Sequence, residues 1–172
     1  MPIIDCNPTH TDAILAILND AIVNTTALYD YRPRTREMMA DWFAAKQRGH
    51  YPILGAVDDT GQLMGFATYG PFRGFPAYKY TVEHSLYIAA PHRRNGLGRQ
   101  LLIQLIARAR QQDYHVLIGG IDSSNTASIG LHQSLGFQHV ATIPQVGYKF
   151  SRWLDLCFYQ LVLDTPALPC DG

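Results

Sequence analysis

The stretch Ala90-Pro-His-Arg-Arg-Asn-Gly-Leu-Gly-Arg99 gathers the residue types that bind anions. It follows an alternating segment and precedes an apolar repeat of helical spacing, so it joins a strand to a helix. Gly96 and Gly98 let backbone N–H groups approach an anion closely, and the start of the helix adds partial positive charge. Arg93, Arg94 and Arg99 bring full charges beside Asn95 and Leu97. The chemistry is that of a phosphate or diphosphate. A nucleotide P-loop requires a Lys after the last glycine, and none follows Gly98. A dinucleotide loop requires a third glycine at Gly-x-Gly-x-x-Gly spacing, and it is absent. A basic turn ahead of a surface helix is the alternative reading.

Some thirty residues on stands Asn125-Thr-Ala-Ser-Ile-Gly-Leu-His132-Gln-Ser-Leu-Gly-Phe137. Asn125 and His132 are seven residues apart, two helical turns, which brings them to one side at about 10 Å along the axis. The order Arg93-x-x-Gly96-x-Gly98 resembles the coenzyme A diphosphate loop of the GNAT acetyltransferases, and the Asn125–Phe137 block resembles that family's next helix. Tyr69-Gly-Pro-Phe-Arg73, Thr81-Val-Glu-His-Ser-Leu-Tyr-Ile88 and Val146-Gly-Tyr-Lys-Phe-Ser-Arg-Trp-Leu-Asp155 are similar to the phosphinothricin and methionine sulfoximine/sulfone N-acetyltransferases. Asn24-Thr-Thr26 fits them too. The resemblance spans about residues 3–163. It implies a mixed α/β GNAT fold, a mostly antiparallel twisted sheet flanked by helices, with residues 1–163 as one domain. It also implies acetyl transfer from acetyl-CoA, as co-substrate, to the α-amine of a small amino acid, by direct attack through a tetrahedral intermediate. A homodimer is implied by the same likeness.

Only the neutral amine attacks a thioester, so a base is useful. Glu83 is the first candidate. It lies on the polar face of an otherwise buried strand, where partial burial would raise its proton affinity. An ammonium clamp or a structural ion pair are its other readings. His132 stands where many relatives place a Tyr. It could protonate the departing sulfur or relay a proton, or it could simply pack and cap its helix. The resemblance directs a backbone N–H of Leu86, Tyr87 or Ile88 at the thioester carbonyl and sets Asn125 beside the pantetheine arm. For the acceptor's anionic group the forked guanidinium of Arg73 is the natural choice, with Phe72 and Tyr29 as walls. A solvated loop arginine is the alternative.

Lys plus Arg and Asp plus Glu both number 14, so formal net charge is zero, which argues against a nucleic-acid partner. Hydrophobic residues make up 47% and charged ones 16%, which indicates a globular chain. Cys6, Cys157 and Cys170 are odd in number and widely spaced, with no zinc pattern, so neither a metal nor a disulfide framework is expected. No signal-peptide pattern and no membrane-length apolar run is present, and a cytoplasmic protein is expected. Two acceptor or activity classes compete with a free amino acid: a protein N-terminus or lysine as acceptor, and a non-catalytic acyl-CoA-binding module.

The elements that must position these residues follow from periodicity. A helix is predicted from Thr9, with Ile14, Ile17, Leu18, Ala21 and Ile22 as its buried stripe. A second is predicted over Arg36–Arg48, ended by Gly49. Pro52–Val57 and Leu63–Tyr69 read as a hairpin around Asp58-Asp59-Thr60-Gly61. Tyr80–Ile88 alternates, a helix begins at Leu97, His115–Ile121 is a buried strand, and a helix starts at Ser123-Ser124-Asn125 and stops at Gly136. Phe137–Ile143 and Trp153–Leu163 are the last strands. Residues 164–172, with two prolines, read as a loosely held tail.

Overall fold

The structure is a computed structural model describing residues 2–171; Met1 and Gly172, which the expected domain and tail include, lie outside it. Seven strands form one sheet. They are β1 (Ile3–Asp5), β2 (Ile53–Val57), β3 (Leu63–Pro71), β4 (Thr81–Ile88), β5 (Val116–Asp122), β6 (Gln138–Lys149) and β7 (Arg152–Val162), hydrogen-bonded in the order β1-β2-β3-β4-β5-β7-β6. The helices are α1 (Thr11–Asn24), α2 (Arg36–Arg48), α3 (Leu97–Gln111) and α4 (Thr126–Ser134). None is long and apolar enough to cross a membrane. Contacts divide the chain into two compact units: residues 2–69 with 85–105, and residues 70–84 with 106–171. Strand β4 and helix α3 run through both.

In the first unit, Ile14, Ile17 and Leu18 of α1 pack with Met39 and Phe43 of α2 against Ile53, Val57, Leu63 and Phe66 of the β2–β3 hairpin. The stripe expected on α1 is buried throughout. Helix α1 nevertheless starts later than Thr9. Asn7 caps a short 3₁₀ turn over Pro8–His10, its Oδ1 accepting from the Thr9 N–H at 3.0 Å, and α1 proper opens at Thr11. Asn is a strong cap and Pro suits the first helical position, so this pair outcompetes the start expected at Thr9. Helix α2 has its predicted limits, with Thr35 as N-cap. Strand β1 was not foreseen; three residues are too few to show a period, and pairing with β2 defines them.

In the second unit, β5 pairs antiparallel with β7 along its whole length, and β7 with β6. Strand β6 runs past the predicted end at Ile143. Pro144 is tolerated because β6 is the outermost strand. The register shifts between Ile143 and Gly147, where Gln145 takes φ 54° and its N–H donates to Asp155 Oδ1 at 2.7 Å. Beyond β7, the Arg110 guanidinium lies 3.5 Å from Asp164, His115 Nδ1 lies 2.8 Å from the Thr165 carbonyl oxygen, and the Cys170 N–H donates to the Tyr80 hydroxyl at 3.2 Å. The three cysteines are free thiols.

Candidate active site

The glycine-rich turn belongs to the first unit. Arg94 and Gly96 both take left-handed backbone, φ 65° and 76°. Glycine adopts this without strain, and the reversals turn successive N–H groups toward one side. A Cβ on Gly96 would meet nothing within 4 Å, so the space over the turn is open. Helix α3 starts at Leu97, which is buried and anchors the turn. The Gln100 N–H bonds to the Gly96 carbonyl at 3.2 Å, while the amides of Leu97, Gly98 and Arg99 precede the first intrahelical bond. The first turn of α3 carries no acidic residue. This donor set fits an anion such as a diphosphate. Arg93 is partly committed elsewhere: its Nε donates to the Ile88 carbonyl at 3.0 Å and its Nη2 lies 3.3 Å from Asp20. That side chain braces the end of β4 against α1.

Strand β4 carries the next group of predicted residues. The Ala89 N–H donates to the Met64 carbonyl at 2.9 Å, and the Tyr87 carbonyl lies against Gly65, so odd-numbered residues turn their main-chain groups toward β3. By alternation, the amides of Leu86 and Ile88 point the other way. Parallel pairing with β5 covers only Thr81–His84 against Val116–Gly119, although β4 continues to Ile88. The Leu86 and Ile88 amides therefore lie beyond the β5 ladder. Tyr87 packs its ring on Phe66 at 5.5 Å, a core contact. Tyr29 stands in the loop after α1, 38% exposed.

Glu83 and His84 are adjacent on β4 and project to opposite faces of the sheet, in the second unit. Each has room because β5 places a glycine beneath it. A Cβ on Gly120 would come within 3.1 Å of Glu83 Oε1, and one on Gly119 within 3.0 Å of His84 Cε1. Half-burial raises the Glu83 carboxyl above its ordinary value, and the positive charge of Arg73 partly opposes this. Arg73 sits in the exposed loop before β4, its guanidinium 5.3 Å from the centre of the Phe72 ring. Phe72 in turn meets Tyr78 and Phe158 edge-on at 5.9 and 6.4 Å. A carboxylate of raised proton affinity beside a guanidinium can hold an ammonium or take a proton from it.

On the other face, His84 Nε2 lies 2.8 Å from His132 Nε2, both rings buried and stacked at 5.0 Å. His132 Nδ1 lies 2.7 Å from the Ser128 carbonyl oxygen one turn earlier in α4. Asn125 is the N-cap of α4, its Oδ1 accepting from the Ser128 N–H at 3.1 Å. Burial, and then the neighbouring His132, push the His84 pKa down to about 3; the Ile118 main chain opposes this only weakly. Burial lowers the His132 pKa as well, against a smaller opposing pull from the Ser128 carbonyl. Missed from sequence are Gly119, Gly120 and the pairing of His84 with His132; that His84 faces away from Glu83 follows from the strand alternation. The signal was present: two glycines in mid-strand mark a close approach by other atoms. Among the described residues, no group of three or more His, Cys, Asp or Glu side chains is placed to hold a metal ion.

Known proteins resemble this chain over most of its length. Residues 16–137 match the acetyltransferase (GNAT) family. An L-methionine sulfoximine/L-methionine sulfone acetyltransferase of Pseudomonas paraeruginosa is 49% identical over 160 residues, 93% of each chain. The solved N-acetyltransferase of Staphylococcus aureus Mu50 superposes with a TM-score of 0.92 at 50% identity, covering 94% of this chain and 97% of that one. A phosphinothricin acetyltransferase of Sinorhizobium meliloti, solved in complex with acetyl-CoA, gives a TM-score of 0.94 at 30% identity over 98% of this chain and 91% of its own. The chain belongs to the GNAT family of acetyltransferases.

Proposed function

We propose that this N-acetyltransferase moves acetyl from acetyl-CoA to the α-amine of a small amino acid of the methionine sulfoximine, methionine sulfone and phosphinothricin class. The observation that carries the reading is Glu83: a half-buried carboxyl, raised in proton affinity and paired in charge with Arg73, on the strand that leads into the anion-binding turn. Relatives named for those acceptors cover nearly the whole chain.

Acetyl-CoA, when bound, supplies a thioester. The residues that hold its diphosphate are the amides of Gly96, Leu97 and Gly98, with charge from Arg94 and Arg99 and Asn95 at the rim. The Leu86 and Ile88 amides, beyond the β5 ladder, polarise the acyl oxygen. Glu83 receives the substrate ammonium and removes its proton, directly or through water, so that nitrogen attacks as the neutral amine. Arg73 binds the acceptor's carboxylate or its sulfoximine or phosphinate oxygens in a two-oxygen fork, with Phe72 as an apolar wall. Asn125 caps α4 beside the pantetheine arm. The reading extends to a cytoplasmic homodimer, with the apolar groups Val146, Tyr148 and Trp153 on β6 and β7 as the surface a second copy covers; they are 50%, 48% and 60% exposed.

Thiol release from acetyl-CoA tests the assignment. Methionine sulfoximine, methionine sulfone and phosphinothricin should each give release above the rate without acceptor. Release with peptide N-termini or lysines alone would move the acceptor to polypeptides. Tight CoA binding with no release for any amine would make the protein a binding module.

A further inference from the structure

The His84–His132 contact has one hydrogen and two ring nitrogens. The Ser128 carbonyl oxygen, an acceptor only, lies 2.7 Å from His132 Nδ1, well inside the 3.4 Å of the Ser128 hydroxyl, so His132 Nδ1 carries the proton and donates it to that carbonyl. His132 Nε2 is then a bare lone pair. His84 Nε2, 2.8 Å away, must therefore be the donor in that contact. This leaves His84 Nδ1 as an unprotonated, buried nitrogen, and it has no hydrogen-bond partner among the described residues. This arrangement of protons satisfies the three hydrogen-bonded ring nitrogens and keeps both rings neutral.

The surroundings enforce it. Phe137 stands 5.3 Å from the His84 ring and 5.0 Å from the His132 ring. From β5 the pair meets Gly119, where a Cβ would come 3.2 Å from His132 Nε2, and the main chain of Ile118. From α4 it meets the Ser128 main chain and, at 3.4 Å, the Ser128 hydroxyl. From β4 the adjacent titratable side chain, Glu83, lies on the opposite face over Gly120. Burial lowers the proton affinity of both rings.

We propose that His84 is a positioning residue for acetyl transfer: its Nε2–H donates to His132 Nε2 and, with the Ser128 carbonyl on Nδ1, holds His132 as the neutral Nδ1–H tautomer, leaving its Nε2 no proton to give the departing sulfur. The imidazole pair is a rigid, uncharged wall under α4, and the sulfur takes its proton from water. The kinetic part of this inference rests on the acetyl-transfer reading; the tautomer does not.

Long-range ¹H–¹⁵N correlation spectra of the full-length protein read the tautomers directly. His132 should appear protonated on Nδ1 and His84 on Nε2, both unchanged from about pH 6 to 8, a window across which an ordinary histidine near 6.5 would titrate. In H84Q, an amide N–H can still donate, so His132 should keep its tautomer. In H84L, the donor is gone. His132 should begin to titrate, and the pH profile of kcat/KM should gain an ionisation that the wild type lacks, with KM for acetyl-CoA unchanged. If H84L fails to fold, the wild-type and H84Q spectra still decide. A wild-type His132 protonated on Nε2, or titrating like an ordinary histidine, overturns the proposal. So does an H84L protein in which His132 still does not titrate and the pH profile matches the wild type. The spectra need no turnover, so an absence of acetyl transfer would leave the pair standing, and a wrong pair would leave the transfer standing.

Discussion

The Arg93–Arg99 turn and the Glu83–His84 segment lie close in sequence but work by different physics. The turn uses main-chain amides, set by backbone angles at Arg94 and Gly96 and by the start of α3. Its side chains can vary in what they touch: Arg93 holds Ile88 and Asp20 without disturbing those amides. The Glu83–His84 segment uses side chains whose properties come from what surrounds them. Two neighbouring residues are steered to opposite faces, each over its own glycine, one toward a guanidinium and the other toward a second imidazole. A turn of the first kind grips a common cofactor; an environment of the second kind sets the proton chemistry.

The two regions should therefore fail differently when changed. Glu83→Gln removes the base and should lower kcat by on the order of 10²–10⁴-fold, with KM for acetyl-CoA nearly constant. A comparable loss of cofactor affinity in steady-state kinetics would erase the distinction. Gly96→Val forces a branched side chain into left-handed backbone, a strain of about 1–3 kcal/mol. KM for acetyl-CoA should rise on the order of tenfold while kcat holds, the reverse pattern. Gly120→Ala sharpens the comparison further. Its Cβ would sit 3.1 Å from Glu83 Oε1, so the carboxylate must shift by a few tenths of an ångström. A several-fold fall in kcat is expected, whereas Gly130→Ala, where a Cβ meets nothing within 4 Å, should leave kinetics unchanged. The smallest effect is a displaced pH profile. Burial raises the Glu83 pKa and Arg73 holds it down, so Arg73→Gln should raise it further. The base works deprotonated, so the acid limb of kcat/KM should move to higher pH. A limb that stays in place would uncouple the two side chains.

These differences also explain what could be read from the sequence. The turn is local: strand end, glycines, arginines and helix start fall within ten residues, and the chain adopts that order as written. Helix α2 and the buried stripe of α1 were equally legible, because an apolar repeat at 3.6 spacing needs no distant partner to be recognised. Glu83 stood out only because it is the carboxylate on the polar face of an otherwise buried strand, just ahead of the turn. What no local pattern could give was pairing across distance. His84 lies 48 positions before its partner His132. The glycine pair at 119–120 gains meaning only once β5 lies beside β4. Strand β1 exists through its partner β2, and the length of β6 depends on Asp155 holding the Gln145 bulge. Arg93 was legible as a charge but not as a brace, because Asp20 lies 73 residues away.

The most direct test of the division of labour is a crystal structure of the protein with acetyl-CoA. The diphosphate oxygens should lie within hydrogen-bond distance of the Gly96, Leu97 and Gly98 amides, with the acetyl carbonyl at the Leu86 or Ile88 amide. Density for the cofactor at any other place, with that turn bare, would contradict the account.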